Sequence, residues 1–290
     1  LPAGLDLGQG FKGLVLSALK QMSNKRTQQA LQETRSFGLR DIPTLRPLGW
    51  LARGWSDLCS CPVLSLLHGV LLSLGGSLIF YIARDRFWLL AGAFSGFLLV
   101  APILATGLYA ISRALQFGNR PSWLTVLRAW RPGQRKLVVF GLLLALAGTG
   151  WVLTSAALVT AFSAVPVQRP LDFLRWVVLD ESSHLFEIWL VLGAVLAAPV
   201  FASSVVAVPM LLDQKVSVLG AVFTSWRVVM AHPVPLALWA VLIAALTLLG
   251  MATLMVGLVV VMPWLGHASW HAYRDLVSAA PDELLRSRTF

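Results

Sequence analysis

Residues 234–266 read VPLALWAVLIAALTLLGMATLMVGLVVVMPWLG, with no Asp, Glu, Lys or Arg. As one helix rising 1.5 Å per residue this stretch would be about 50 Å long. A bilayer hydrocarbon core is about 30 Å thick, so a steep tilt or a tight hairpin must absorb the excess. The hairpin is preferred because an internal repeat predicts it. Spans are therefore expected near 234–250 and 252–276. Four further apolar runs lie upstream, near 62–83, 87–112, 137–163 and 185–212. The pattern predicts an all-α, polytopic membrane bundle of six transmembrane helices.

Composition points the same way. The 290 residues are 57% hydrophobic and 12% charged, with a mean hydropathy of +0.76. Soluble domains carry about 25% charged residues. A soluble enzyme, a secreted disulfide scaffold and a disordered chain are all excluded. Cys59 and Cys61 imply no disulfide framework. Because the sequence opens on Leu1, further residues are expected upstream. Nothing near the start has the pattern of a cleaved signal, so the first spanning helix is expected to direct membrane insertion.

The repeat rests on two kinds of anchor. Trp55, Trp130-Arg131 and Trp226-Arg227 each end a short amphipathic stretch before an apolar run, and Pro62 and Pro233 each follow seven residues after Trp55 and Trp226. Later come the in-helix prolines Pro102, Pro209 and Pro263, with Tyr109 and Arg113 after the first and Tyr273-Arg274 after the last. The unit is an amphipathic helix plus a helical hairpin, used three times. Such prolines free a carbonyl one turn earlier; the preferred reading is that they shape the bundle, the alternative that they line a shared cavity.

The formal charge is +10. With both termini cytoplasmic, 19 Lys and Arg lie inside, against Arg84, Arg86, Arg169 and Arg175 outside, which fixes the orientation. The expected organisation is a basic cytoplasmic arm at 1–44, a membrane domain at 45–277 and a cytoplasmic tail at 278–290. Within the arm, Phe11, Leu14, Val15, Ala18 and Met22 share a helical face. That face rests on anionic lipid or, alternatively, grips a partner subunit. Segment 164–184 is expected to form a short interfacial helix on the outer side. Most of the 12 tryptophans, including Trp50, Trp55, Trp88, Trp123, Trp226, Trp264 and Trp270, fall near span ends as an aromatic belt.

Chemistry is sparse. No mid-depth ionisable carboxylate or amine marks a coupled transporter, and no phosphate-binding loop marks an ATP-driven machine. His267 and His271 have i, i+4 spacing but lack the Glu of a zinc peptidase. With His68, and with Cys61 on the same face, they form the candidate metal or haem site. The competing reading is that each histidine hydrogen-bonds a neighbouring helix, since no carboxylate or further cysteine completes a coordination shell. His184 and His232 fall in loops. Gly92 with Gly96, and Ser65 with Gly69, allow close helix approach, within one chain or between chains.

Arg46-Pro-Leu-Gly-Trp-Leu-Ala-Arg-Gly-Trp-Ser-Asp-Leu58 and Gly266-His-Ala-Ser-Trp-His-Ala-Tyr-Arg-Asp-Leu276 resemble the opening and closing motifs of a bacterial family of uncharacterised multi-pass membrane proteins. Gly107-Leu-Tyr-Ala-Ile-Ser-Arg113 and Trp226-Arg227 fit as well, so the resemblance covers about 45–277. It implies a six-helix bacterial inner-membrane protein and brings no activity. Some members bear cytochrome c oxidase subunit I-like names, yet that subunit resembles a twelve-helix protein with six metal-ligating histidines; this chain has half the helices and three histidines in or near its spans. The expected role is a non-catalytic accessory subunit or assembly factor of a larger energy-transducing complex, with no nucleic acid bound. The alternatives are a channel or facilitator for a small solute and a haem- or metal-handling protein.

Overall fold

The computed structural model describes residues 7–83, 104–129, 135–180 and 183–278, with side chains from Lys20 onward except Met22, Ala83 and Pro170. Helix α1 spans Leu7–Ser36, α2 Arg46–Ser60 and α3 Pro62–Ala83. Residues 104–116 form α4, Trp123–Ala129 α5 and Arg135–Phe162 α6. A turn of α-helix, α7 (Pro170–Phe173), runs into a π-turn at Leu174–Val178. Then come α8 (Leu185–Ser204), α9 (Ala207–Asp213), α10 (Val218–Ala231), α11 (Pro233–Ala252) and α12 (Leu258–Leu276). Two short strands, β1 (Gly38–Leu39) and β2 (Val277–Ser278), pair antiparallel and tie the segment after α1 to the residues that follow α12.

Among the described residues four helices are long and apolar enough to cross a membrane: Pro62–Ile82, Arg135–Phe162, Leu185–Asp213 and Pro233–Ala252. They match four of the expected spans to within a few residues. The span expected at 87–112 lies mostly outside the described residues, with only its last part seen in α4.

The long apolar stretch does divide into a hairpin. Leu254 (φ 53°) and Met255 (φ 69°) take left-handed conformations that reverse the chain between α11 and α12. Helix α12 differs from the expected sixth span. It starts at Leu258 rather than 252, and it is not among the helices apolar enough to cross. Its second half carries His267, Trp270, His271, Arg274 and Asp275, which lower its hydropathy. It lies alongside α3, with His267 beside Ser65 and Val259 beside Gly69, and in the turn before it the Met255 carbonyl accepts from Ser73 Oγ at 2.7 Å.

The amphipathic helices also run further than expected. Trp55 and Trp226 do not end theirs; α2 continues to Ser60 and α10 to Ala231. Each then turns at one residue into a proline-started span. The turning residues, Cys61 (φ −138°, ψ 60°) and His232 (φ −131°, ψ 58°), have nearly the same backbone conformation. His232 is therefore a buried corner residue, 8% exposed, and not a loop histidine. His184 is the exposed residue before α8.

The arm is not free along its length. Glu33 accepts hydrogen bonds from Ser217 N (2.9 Å) and Ser217 Oγ (2.5 Å) at the start of α10. Arg227 of α10 in turn donates to the carbonyls of Thr34 and Phe37 at the end of α1, the latter at 2.7 Å. Each helix thus satisfies the terminal backbone groups of the other. The face formed by Phe11, Leu14, Val15, Ala18 and Met22 lies outside the described side chains.

Candidate functional site: the polar junction of α2, α3, α4 and α12

Backbones approach one another closely here because small residues permit it. Gly54 of α2 faces Ala268 and the Trp264 carbonyl, and an added Cβ would lie 2.7 Å from Ala268 N. Gly69 of α3 faces the Val259 carbonyl, 1.9 Å from where its Cβ would be. That carbonyl lies four residues before Pro263, which has no N–H to bond it. Proline and glycine thus act together across the α3–α12 contact. Ser65 and Gly69 accordingly pack helices within this chain. Gly92, Gly96, Pro102 and Trp130 lie outside the described residues. Pro209 produces a real break, with the helix interrupted at residues 205–206, one turn before it. Ser225 Oγ accepts the freed Val206 N–H at 3.2 Å.

His267 is fully buried. Its Nε2 lies 2.9 Å from Ser65 Oγ and its Nδ1 2.7 Å from Ser112 Oγ. Ser65 Oγ donates to the Cys61 carbonyl at 2.7 Å. With that hydroxyl hydrogen committed, His267 donates from Nε2 and accepts at Nδ1, a neutral imidazole using both nitrogens. His68 is bonded through Nδ1 to the Leu64 carbonyl at 2.7 Å, and its Nε2 lies over Gly107, 2.3 Å from where a Cβ would be. His271 pairs with Asp57 at 2.9 Å. The three histidines thus have protein partners, and among the described residues no group of three His, Cys, Asp or Glu is arranged to hold a metal ion. Burial also raises the Cys61 thiol above its ordinary range, which disfavours a thiolate ligand.

One half of the junction is ionic. Asp275 accepts from Arg46 Nε at 2.6 Å, from Trp50 Nε1 at 2.9 Å and from Arg53. The carboxylate beside Arg46 holds that guanidinium above its already high ordinary value. Trp264 Nε1 donates to the Leu51 carbonyl at 2.7 Å, and its ring meets Trp55 edge to face at 5.2 Å. Trp50 and Trp270 are fully buried core residues and not part of an interfacial belt. Their N–H groups have internal acceptors, Asp275 for Trp50 and Gln116 for Trp270 at 3.0 Å. Trp55 and Trp123 are about half exposed, as a belt requires. Trp226 Nε1 donates to Ser203 at 2.9 Å.

Sequence reasoning missed the carboxylates Asp57, Asp213 and Asp275. Asp213 closes α9 and is reached by Arg113, Tyr273 and Arg274. In the sequence Arg113 and Arg274 each follow a proline by eleven residues, but nothing there ties either to Asp213.

Residues 89–213 match the model of a family described as "Predicted integral membrane protein (DUF2189)". The match agrees with the resemblance to an uncharacterised multi-pass membrane family and extends to that description alone. No curated protein and no solved structure matches the chain.

Proposed function

We propose that this integral membrane protein is a non-catalytic accessory subunit or assembly factor that packs against a larger energy-transducing complex. The observation that supports it is a contrast in how surfaces are used. Polar groups of the junction are taken up inside the chain, while only 22–28% of each candidate span is buried. A chain built this way has little reactive equipment to offer and large apolar flanks for lipid and neighbouring helices.

The proposal includes a bacterial inner membrane, both termini cytoplasmic, and six helices in three units. The positive-inside count supports the orientation. The matching corners at Cys61 and His232 and the equal proline-to-arginine offsets support the repeat.

Quantitative proteomics of membranes from a deletion strain tests the role. Selective depletion of the subunits of one complex is the expected result. Unchanged complexes together with solute flux through the reconstituted protein would favour a facilitator instead. A Soret band or stoichiometric metal, lost in a His267→Ala/His271→Ala variant, would favour the haem or metal reading.

A further inference from the structure

Elements from the three sequence units meet at one carboxylate. The Asp213 side chain is only 5% exposed, with Arg113 Nε 3.2 Å from Oδ1 and Arg274 Nη1 3.3 Å from Oδ2. Tyr273 donates to the same Oδ2 at 2.8 Å and Gln214 Nε2 at 2.9 Å. One oxygen thus serves three donors, and a single carboxylate cannot satisfy two guanidinium groups with five N–H each. Two cations against one anion leave one positive charge over.

Donors are left over as well. Arg274 Nε is buried without a hydrogen-bond partner, while Arg113 is 47% exposed. Among the described residues neither arginine has a second carboxylate in ion-pair range. Exposed Lys215 lies two residues beyond Asp213, and Lys136 is held close by its bond to the Val216 carbonyl at 2.6 Å. Asp213 is the last residue of the apolar helix Leu185–Asp213, and Arg113 directly follows the apolar run that ends at residue 112. The cluster thus lies where hydrocarbon gives way to headgroups.

We propose that Arg113 and Arg274 form a binding site for a phosphate oxyanion, supplied by the headgroup of an anionic phospholipid. A phosphodiester monoanion neutralises the charge that Asp213 leaves. The open edge of the Arg113 guanidinium offers the planar pair of donors that phosphate oxygens accept well. The site does not depend on the accessory-subunit reading.

The test is native mass spectrometry of the full chain, delipidated and then incubated with phosphatidylglycerol or phosphatidylcholine. Wild type is expected to retain one phosphatidylglycerol, about tenfold in preference to phosphatidylcholine, the scale of one charge-assisted contact. Arg113→Gln should bring the ratio close to one in protein that still elutes as a single folded peak on size-exclusion chromatography. Should that variant fail to fold, Arg113→Lys keeps the charge and loses the fork, and its preference should fall between the two. Equal retention of both lipids by wild type would overturn the site, as would undiminished preference in either folded variant. Displacement of the lipid by millimolar inorganic phosphate would overturn the lipid as its source.

Discussion

The two ends of this bundle are held by different forces. At the end where α2 lies across α12, helices touch through Gly54 and Gly69, a buried histidine between two serines, and carboxylates that each gather several donors. At the far end, the π-turn and the tips of α6 and α8 meet mainly through apolar side chains. Val159, Val177 and Leu185 form a small core there, and Trp189 lies against Trp151, Phe173 and Phe186. Trp189 Nε1 also donates there to Ser155 Oγ at 2.7 Å. Lipid tails are as apolar as these side chains, so apolar contact adds little drive for helices to associate within a bilayer. Cohesion therefore belongs to the end where backbones approach and polar groups pair.

Removing Asp213 should break that difference most severely. Asp213→Ala leaves two arginines without their shared counter-charge, a loss of about 2–3 kcal/mol once screening of the half-exposed Arg113 is allowed for. Little folded protein should survive detergent extraction, as judged by size-exclusion chromatography. Gly69→Val places a branched side chain on the Val259 carbonyl and should cost about 1–3 kcal/mol as overpacking, seen as a lower melting temperature. Ser112→Ala deprives His267 Nδ1 of its donor and should cost about 1 kcal/mol. A double-mutant cycle with His267→Gln would show whether the two are coupled. At the far end, Ser155→Ala removes a single hydrogen bond and should cost only about 0.6 kcal/mol. A loss there as large as that of Gly69→Val would erase the distinction between the ends.

The same contrast decides what could be read in advance. Spans follow from runs without charge, and the hairpin in 234–266 follows from a length that one helix cannot fit across a bilayer. Ser65 and Gly69 were legible as close-packing residues because small side chains four apart share a helix face. Whether they met another part of this chain was not legible, since their partners Val259 and His267 lie about two hundred positions away. Asp213 and Asp275 read as ordinary span-end charges. Only the fold brings Arg113, Arg46 and Arg53 to them. Trp50 and Trp270 were misread because an interfacial tryptophan and a buried one with an acceptor have the same position along the sequence. Likewise His267 and His271 share a face by spacing, yet the first bonds serines of α3 and α4 and the second an aspartate of α2.

In the proposed role the polar junction is internal glue and the apolar flanks are what this chain offers to other membrane proteins. Purification from native membranes in mild detergent, with co-migrating proteins identified by mass spectrometry and an absorption spectrum taken on the same fraction, tests it most directly. Stoichiometric partner subunits are expected, with no spectral signature that depends on His267 or His271. A lone, monodisperse protein, or a pigment that disappears with those histidines, would contradict it.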